Sequence, residues 1–188
     1  MKQIVPQNQG KVAGVAAAAA LLYAASVYAA SVHLKPPNRN PDFVDQGITL
    51  NVMGNLAGLG GGDVVIDMTA QADATAVCIN PGTGEQRPPG QNPAPATVGG
   101  QTVIPQNQIK NGNVSFTVTT TAPTTPVPGA PDCPNANWRE VITDLAFTSA
   151  TITVKQPAPT VVLTVTCTFS PPTANGGVPS GDVSCTSS

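Results

Sequence analysis

From residue 161 to 169 the chain reads VVLTVTCTF, and from Val161 onward every second residue (Leu163, Val165, Cys167, Phe169) is apolar. A side-chain period of two belongs to a β-strand, because a helix repeats its faces every 3.6 residues. The same period recurs along the chain. Ile48, Leu50 and Val52 alternate with Thr49, Asn51 and Met53. Val64, Ile66, Met68 and Ala70 alternate with Val65, Asp67 and Thr69, and Val114, Phe116 and Val118 with Ser115, Thr117 and Thr119. Leu145 and Phe147 hold one phase while Ala150, Ile152 and Val154 hold the other, so the slip at Thr148–Ser149 predicts a bulge or a strand passing between sheets. Val183 and Cys185 close the series. One apolar and one polar face is the pattern of antiparallel sheets with one side on a core.

Helical periodicity is absent beyond the N-terminal stretch. The 20 prolines and 18 glycines among 188 residues interrupt nearly every window. Short strands at this spacing, about seven of them, predict an all-β fold: a single antiparallel immunoglobulin-like β-sandwich of Greek-key type over residues 42–188. The runs at 48–52 and 64–70 flank a glycine-rich turn at 58–62 and are expected to pair as a hairpin. The proline-rich stretches at 88–95 and 119–131 are expected to be extended loops of the sandwich.

The N-terminus has the plan of an export signal. Lys2 and Lys11 are basic, no acid precedes Asp42, and Val12 to Ala25 is an apolar run short for a membrane span; a retained anchor, with the run extended to Val32, is the alternative. Val27-Tyr28-Ala29 supplies small residues for cleavage after Ala29. The expected organisation is a cleaved signal helix at 1–29, a flexible arm at 30–41 and the sandwich domain, secreted and free of the membrane after cleavage. Six basic and ten acidic residues then remain, a net charge of −4. No basic cluster exists to hold nucleic acid.

Export makes disulfides the expected state of Cys78, Cys133, Cys167 and Cys185. Three pairings are possible, and no Cys-x2-Cys spacing favours a metal site. Turn residues flank Cys78 and Cys133, which predicts a bond between them, with a 78–167 inter-sheet bond as the competitor. For Cys167 and Cys185 the register is specific. The midpoint is Gly176, within Asn175-Gly176-Gly177, and the same register sets Phe169 opposite Val183 and Thr168 opposite Ser184. Turn chemistry, apolar phase and cysteine position agree on one hairpin.

The segments PGQNPAP (89–95), NGNVSFTVTT (111–120) and PGAPDCPN (128–135) resemble stretches of small secreted bacterial proteins, chiefly actinobacterial, that have no assigned function. The resemblance spans most of the chain after residue 42. It implies a secreted bacterial source and no particular activity.

The residues that carry catalysis are sparse. The single histidine, His33, falls in the arm, without the oriented surroundings a Ser-His-Asp or Cys-His site needs. The ten acids, Asp42, Asp45, Asp63, Asp67, Asp73, Glu85, Asp132, Glu140, Asp144 and Asp182, are scattered, and no carboxylate pair stands out for glycoside hydrolysis. Asp42 with Asp45, or the loop at 60–63, is where a weak calcium site could gather oxygens. No cofactor, metal or catalytic residue is expected. Trp138 is the one candidate for an exposed aromatic platform, since Phe116, Phe147 and Phe169 fall in apolar phase. Trp138 is also placed to plug one end of the sandwich. The chain therefore reads as a non-enzymatic extracellular protein with a structural or interaction role, its partner a protein or a glycan. A carbohydrate-binding module is the first alternative and a secreted hydrolase the second.

Overall fold

The computed structural model describes residues 32–35, 40–88, 93–130 and 132–188. The expected signal peptide and its cleavage site lie outside the described residues. Among the described residues eleven strands run in order: β1 (His33–Leu34), β2 (Asp42–Asp45), β3 (Leu50–Ala57), β4 (Val64–Ile79), β5 (Gln86–Arg87), β6 (Ala94–Ile104), β7 (Val114–Thr119), β8 (Arg139–Lys155), β9 (Val161–Phe169), β10 (Gly176–Gly177) and β11 (Val183–Ser187). Two 3-10 turns are the only helical pieces among the described residues, and none of them could cross a membrane.

Two antiparallel sheets pack face to face. In the smaller, β3 is flanked by β7 on one side and by β2 and β1 on the other, and β10 adds to β2. The larger runs β6–β4–β8–β9–β11, with β5 beside the far end of β4. β4 alternates buried and accessible residues along all 16 positions, so Val64, Ile66, Met68 and Ala70 face the core with Leu145, Phe147, Ile152, Val154 and Val165. From the smaller sheet come Leu50, Val52, Leu56, Phe116 and Val118. Phe43 meets Phe169 edge to face, ring centroids 5.0 Å apart.

The predicted phase slip is a β-bulge. Gln71 pairs with Ser149 but Ala72 with Phe147, so Thr148 is the extra residue of β8. A second shift at Thr75/Ala76 leaves Thr143 unmatched. A third, between Val154 and Lys155, turns Val161 outward to 52% exposure although its sequence phase is that of the core.

The hairpin expected from 48–52 and 64–70 does not form. β3 and β4 belong to opposite sheets and face each other through the core, and residues 58–63 arch between them. Both strands present apolar side chains at the same alternate positions, a pattern that facing strands satisfy as well as paired ones. The buried Gln156 secures the arch: its Oε1 accepts from Gly60 N at 2.8 Å, and its Nε2 donates to the carbonyls of Gly60 and Gly62 at 2.9 and 3.0 Å.

Part of the stretch expected to be a loose arm, 30–41, lies outside the described residues, and residues 32–35 join the smaller sheet. Val32 and Leu34 are buried, and β1 pairs with β3 at Leu56–Ala57, so His33 lies on a strand. Two glycines permit close approach. A Cβ on Gly54 would stand 2.7 Å from the Phe116 ring, and one on Gly100 would overlap the Thr119 carbonyl of β7. The second contact closes the sheets along β6 and β7, where Thr121 N donates to Gly99 O at 2.8 Å.

Both predicted disulfides are present, Cys78–Cys133 and Cys167–Cys185. The second has the register read from the sequence: Cys185 opposite Cys167, Val183 opposite Phe169, Ser184 opposite Thr168. Its connection differs from a tight turn about Gly176. Gly176 and Gly177 pair with Asp45 and Val44 of β2, so the loop leaves its own sheet and adds an edge to the other.

Candidate functional site

Among the described residues β4 and β8 are the longest strands, and their far ends, past Ala74 and Ile142, run beyond the main hydrophobic cluster as a ribbon carrying β5. Ala76 and Cys78 are buried there but lie outside that cluster. Segment 120–138 covers this end. Val127 is buried, its N–H donates to Glu140 Oε1 at 3.0 Å, and Cys133 is bonded to Cys78. The described part of the proline-rich stretch 119–131 is thus tied down as a loop, as expected, whereas in the other, 88–95, Ala94 and Pro95 belong to β6, where Pro95 sits opposite Asp73. A proline is tolerated there because that residue's N–H faces away from β4 on the strand's outer edge.

A cleft of about 450 Å³ opens between loop and ribbon, lined by Asp132, Cys133, Asn135, Trp138, Arg139 and Glu140 among others. Trp138 is half-buried, not a core plug. The Arg87 guanidinium lies over its ring, 5.5 Å from the centroid, and is held by Glu85 at 2.8 Å. The cleft therefore has one aromatic wall, two carboxylates, a guanidinium and an amide. It could hold a small polar ligand by hydrogen bonds beside an apolar surface, the usual composition of binding sites.

Eight of the ten acids stand outside this cleft, and three of them, Asp45, Asp63 and Asp67, are tied into the fold by hydrogen bonds or an ion pair. Asp63 accepts from Gln106 N at 2.8 Å, and Asp67 is paired with Lys155 at 2.7 Å. Lys155, and a hydrogen bond from Gln101, hold the Asp67 carboxyl below its usual range. Asp45 is buried, so its carboxyl is pushed up by desolvation; hydrogen bonds from Thr173 and Gly47 oppose that shift, and the nearby Asp144 adds to it. Asp42 is exposed, so Asp42 and Asp45 do not converge as the calcium idea required. No group of three or more His, Cys, Asp and Glu side chains that could hold a metal occurs among the described residues. Asp132 and Glu140 are the carboxylates that the structure does bring to one cleft. Sequence offered no signal for this, since it depends on the 78–133 bond folding residue 132 back onto β8.

No known protein family, curated protein or solved structure matches this chain.

Proposed function

We propose that this protein is a secreted, non-enzymatic binding module, an immunoglobulin-like sandwich whose ligand enters the cleft beside Trp138. The observation that carries the reading is the cleft itself. It is a concavity with an aromatic wall and convergent polar groups, braced by a disulfide and placed on a ribbon that projects past the main core. Two disulfides are consistent with an extracellular location, and the resemblance of three segments to small secreted bacterial proteins supports the same address. Catalysis is disfavoured by what the acids already do: Glu140, the better buried of the cleft's two carboxylates, is committed to the backbone of Val127.

Trp138 is the single tryptophan, so its fluorescence reports the site alone. Titration with soluble glycans and extracellular peptides should give a saturable change. Asn135→Ala should weaken that binding about fivefold, the worth of one hydrogen bond. Absence of any saturable change across both panels would defeat the proposal. A glycan is the favoured ligand class because an aromatic wall flanked by Asn135, Asp132 and Glu140 offers both stacking and hydroxyl partners. The hydrolase alternative keeps one supporting observation, the pair of carboxylates in the cleft. Turnover in a glycosidase or esterase screen that disappears in Asp132→Asn or Glu140→Gln would establish it.

A further inference from the structure

Six hydroxyl residues of the chain adjoin a proline: Thr124, Thr125, Thr160, Ser170, Thr173 and Ser180. Proline lacks an N–H and holds φ near about −65°, so it keeps a chain extended and out of ladder pairing. Hydroxyl residues beside proline are the pattern of O-glycosylated segments, because a transferase must draw its acceptor into a groove as an unpaired, extended stretch. The sequence does not separate the six, but the structure does.

Thr173 is buried, and its hydroxyl and its N–H are both bonded to Phe147. Thr160 is exposed, yet its N–H donates to Pro157 O at 2.8 Å and its carbonyl accepts from Gln156 N at 2.9 Å, which locks it into the turn between β8 and β9. Ser170 N donates to Asp182 O at 2.9 Å, and Ser180 opens a 3-10 turn in which Asp182 N donates to Pro179 O. Thr124 and Thr125 are both exposed, and residues 122–126 make no backbone or side-chain hydrogen bond among the described residues. The threonines just before them are engaged in the fold. Thr119 accepts from Asn51 at 2.7 Å, Thr120 is buried and accepts from Leu50 N, and Thr121 donates to Gly99 O through its N–H and its hydroxyl. Beyond them Val127 is buried and bonded to Glu140. The stretch Ala122-Pro123-Thr124-Thr125-Pro126 is thus hung between two anchored ends.

We propose that Thr124 and Thr125 are O-glycosylation sites and that the group attached is a neutral hexose; the proposal rests on the extracellular reading given above. In the transfer, the threonine Oγ attacks the anomeric carbon of a hexose carried on a phosphate. The new C–O bond forms as the bond from that carbon to the phosphate oxygen breaks. The hydroxyl proton passes to a base of the transferase, and the phosphate carrier leaves with the bonding pair. Thr125 and Pro126 also line the Trp138 cleft, so the sugar stands at the rim of that site, where Asp132 and Glu140 disfavour an acidic sugar. A kinase is the competing modifier of such hydroxyls. Kinases read charge around the acceptor, and residues 119–131 carry none.

The test is fragmentation mass spectrometry of the full chain recovered from the culture medium of the organism that encodes it. Hexose increments are expected on Thr124 and Thr125 and on none of the other four hydroxyls. The double variant Thr124→Ala, Thr125→Ala should abolish them, and Thr160→Ala should leave them unchanged. Circular dichroism would verify that both variants fold. A secreted chain with neither threonine modified overturns the proposal and leaves the extracellular reading standing. Hexose on Thr160 as abundant as on Thr124 and Thr125, or phosphate in place of hexose, overturns it equally. A chain that stays in the cytosol defeats the extracellular reading itself, and this proposal with it.

Discussion

Asp45 and Thr173 form the most consequential polar contact inside the sandwich. Thr173 donates to Asp45 Oδ2, accepts from Phe147 N at 2.9 Å, and its own N–H donates to Phe147 O at 2.9 Å. A buried carboxylate on β2 is thereby joined to β8 through one hydroxyl. Thr173→Val would leave the Phe147 N–H and the Asp45 carboxylate without their partner. Urea unfolding at pH 7 should show a loss of about 3 kcal/mol, the cost of two unsatisfied buried groups. The pH dependence has a definite sign. Burial raises the folded pKa of Asp45 above its ordinary 3.8, so between those two values the folded protein binds more protons than the unfolded chain. Stability from this group is therefore lost as pH rises through that window, and the penalty is constant above it. Relative to Asp45→Asn, the wild type should gain stability as pH falls from 7 towards 4. A parallel pH dependence for the two proteins would contradict this account. Asp67, whose pKa is lowered, acts in the opposite sense in both and cancels in the comparison.

Among the elements, the arch between β3 and β4 and the β9–β11 pair carry predictions. Gln156 binds the arch by three hydrogen bonds, so Gln156→Ala orphans Gly60 N and two carbonyls. We expect a loss of about 3 kcal/mol by chemical denaturation, with hydrogen exchange accelerating first at residues 58–63. β11 is an edge strand of five residues held by one neighbour and one disulfide. Replacing both Cys167 and Cys185 by alanine should cost about 3 kcal/mol in the chain-entropy picture. Amide protection should fall in β11 and persist in β4 and β8, which lie at the centre of the sheet.

For the whole molecule, the division between sandwich and ribbon matters most. The main core draws on both sheets and takes in Val127, whereas the ribbon end beyond it, at Ala76 and Cys78, is held by the Val127–Glu140 hydrogen bond and the Cys78–Cys133 bond. Closing that 55-residue separation is worth about 4 kcal/mol to the loop it restrains. The double variant Cys78→Ala, Cys133→Ala should therefore keep the sandwich folded by circular dichroism. It should lose protection across β5 and residues 120–138, and with it the binding change at Trp138. Retention of that change would place the ligand site outside the cleft.

Periodicity was enough to show which residues of β4 and β7, and of β9 from Leu163 onward, point inward, because a period of two leaves only two faces to choose between; at Val161 a bulge broke the phase. It also located the Thr148 bulge, since an extra residue inverts the phase. The Cys167–Cys185 register was legible because a hairpin is a local object, its pairing fixed by a constant index sum. The partner of each strand was not. β3 and β4 carry the same pattern whether they pair or face each other, and what separates them is long-range: β3 pairs with β7, β4 with β6 and β8, and Gln156 binds the arch between them from 96 residues away. β6 was hidden by its alanines, Pro95 and the Gly99-Gly100 pair, residues that weaken strand propensity yet let β7 approach. The cleft was invisible for the same reason. Trp138, Asp132 and Glu140 are near in sequence, but they line one concavity only after a long-range disulfide and the Val127–Glu140 bond fold a proline-rich loop over the ribbon. Local chemistry determined which residues face inward and how the last strand pairs. Contacts between residues distant in sequence, which no local pattern encodes, decided which strands share a sheet and where a ligand can enter.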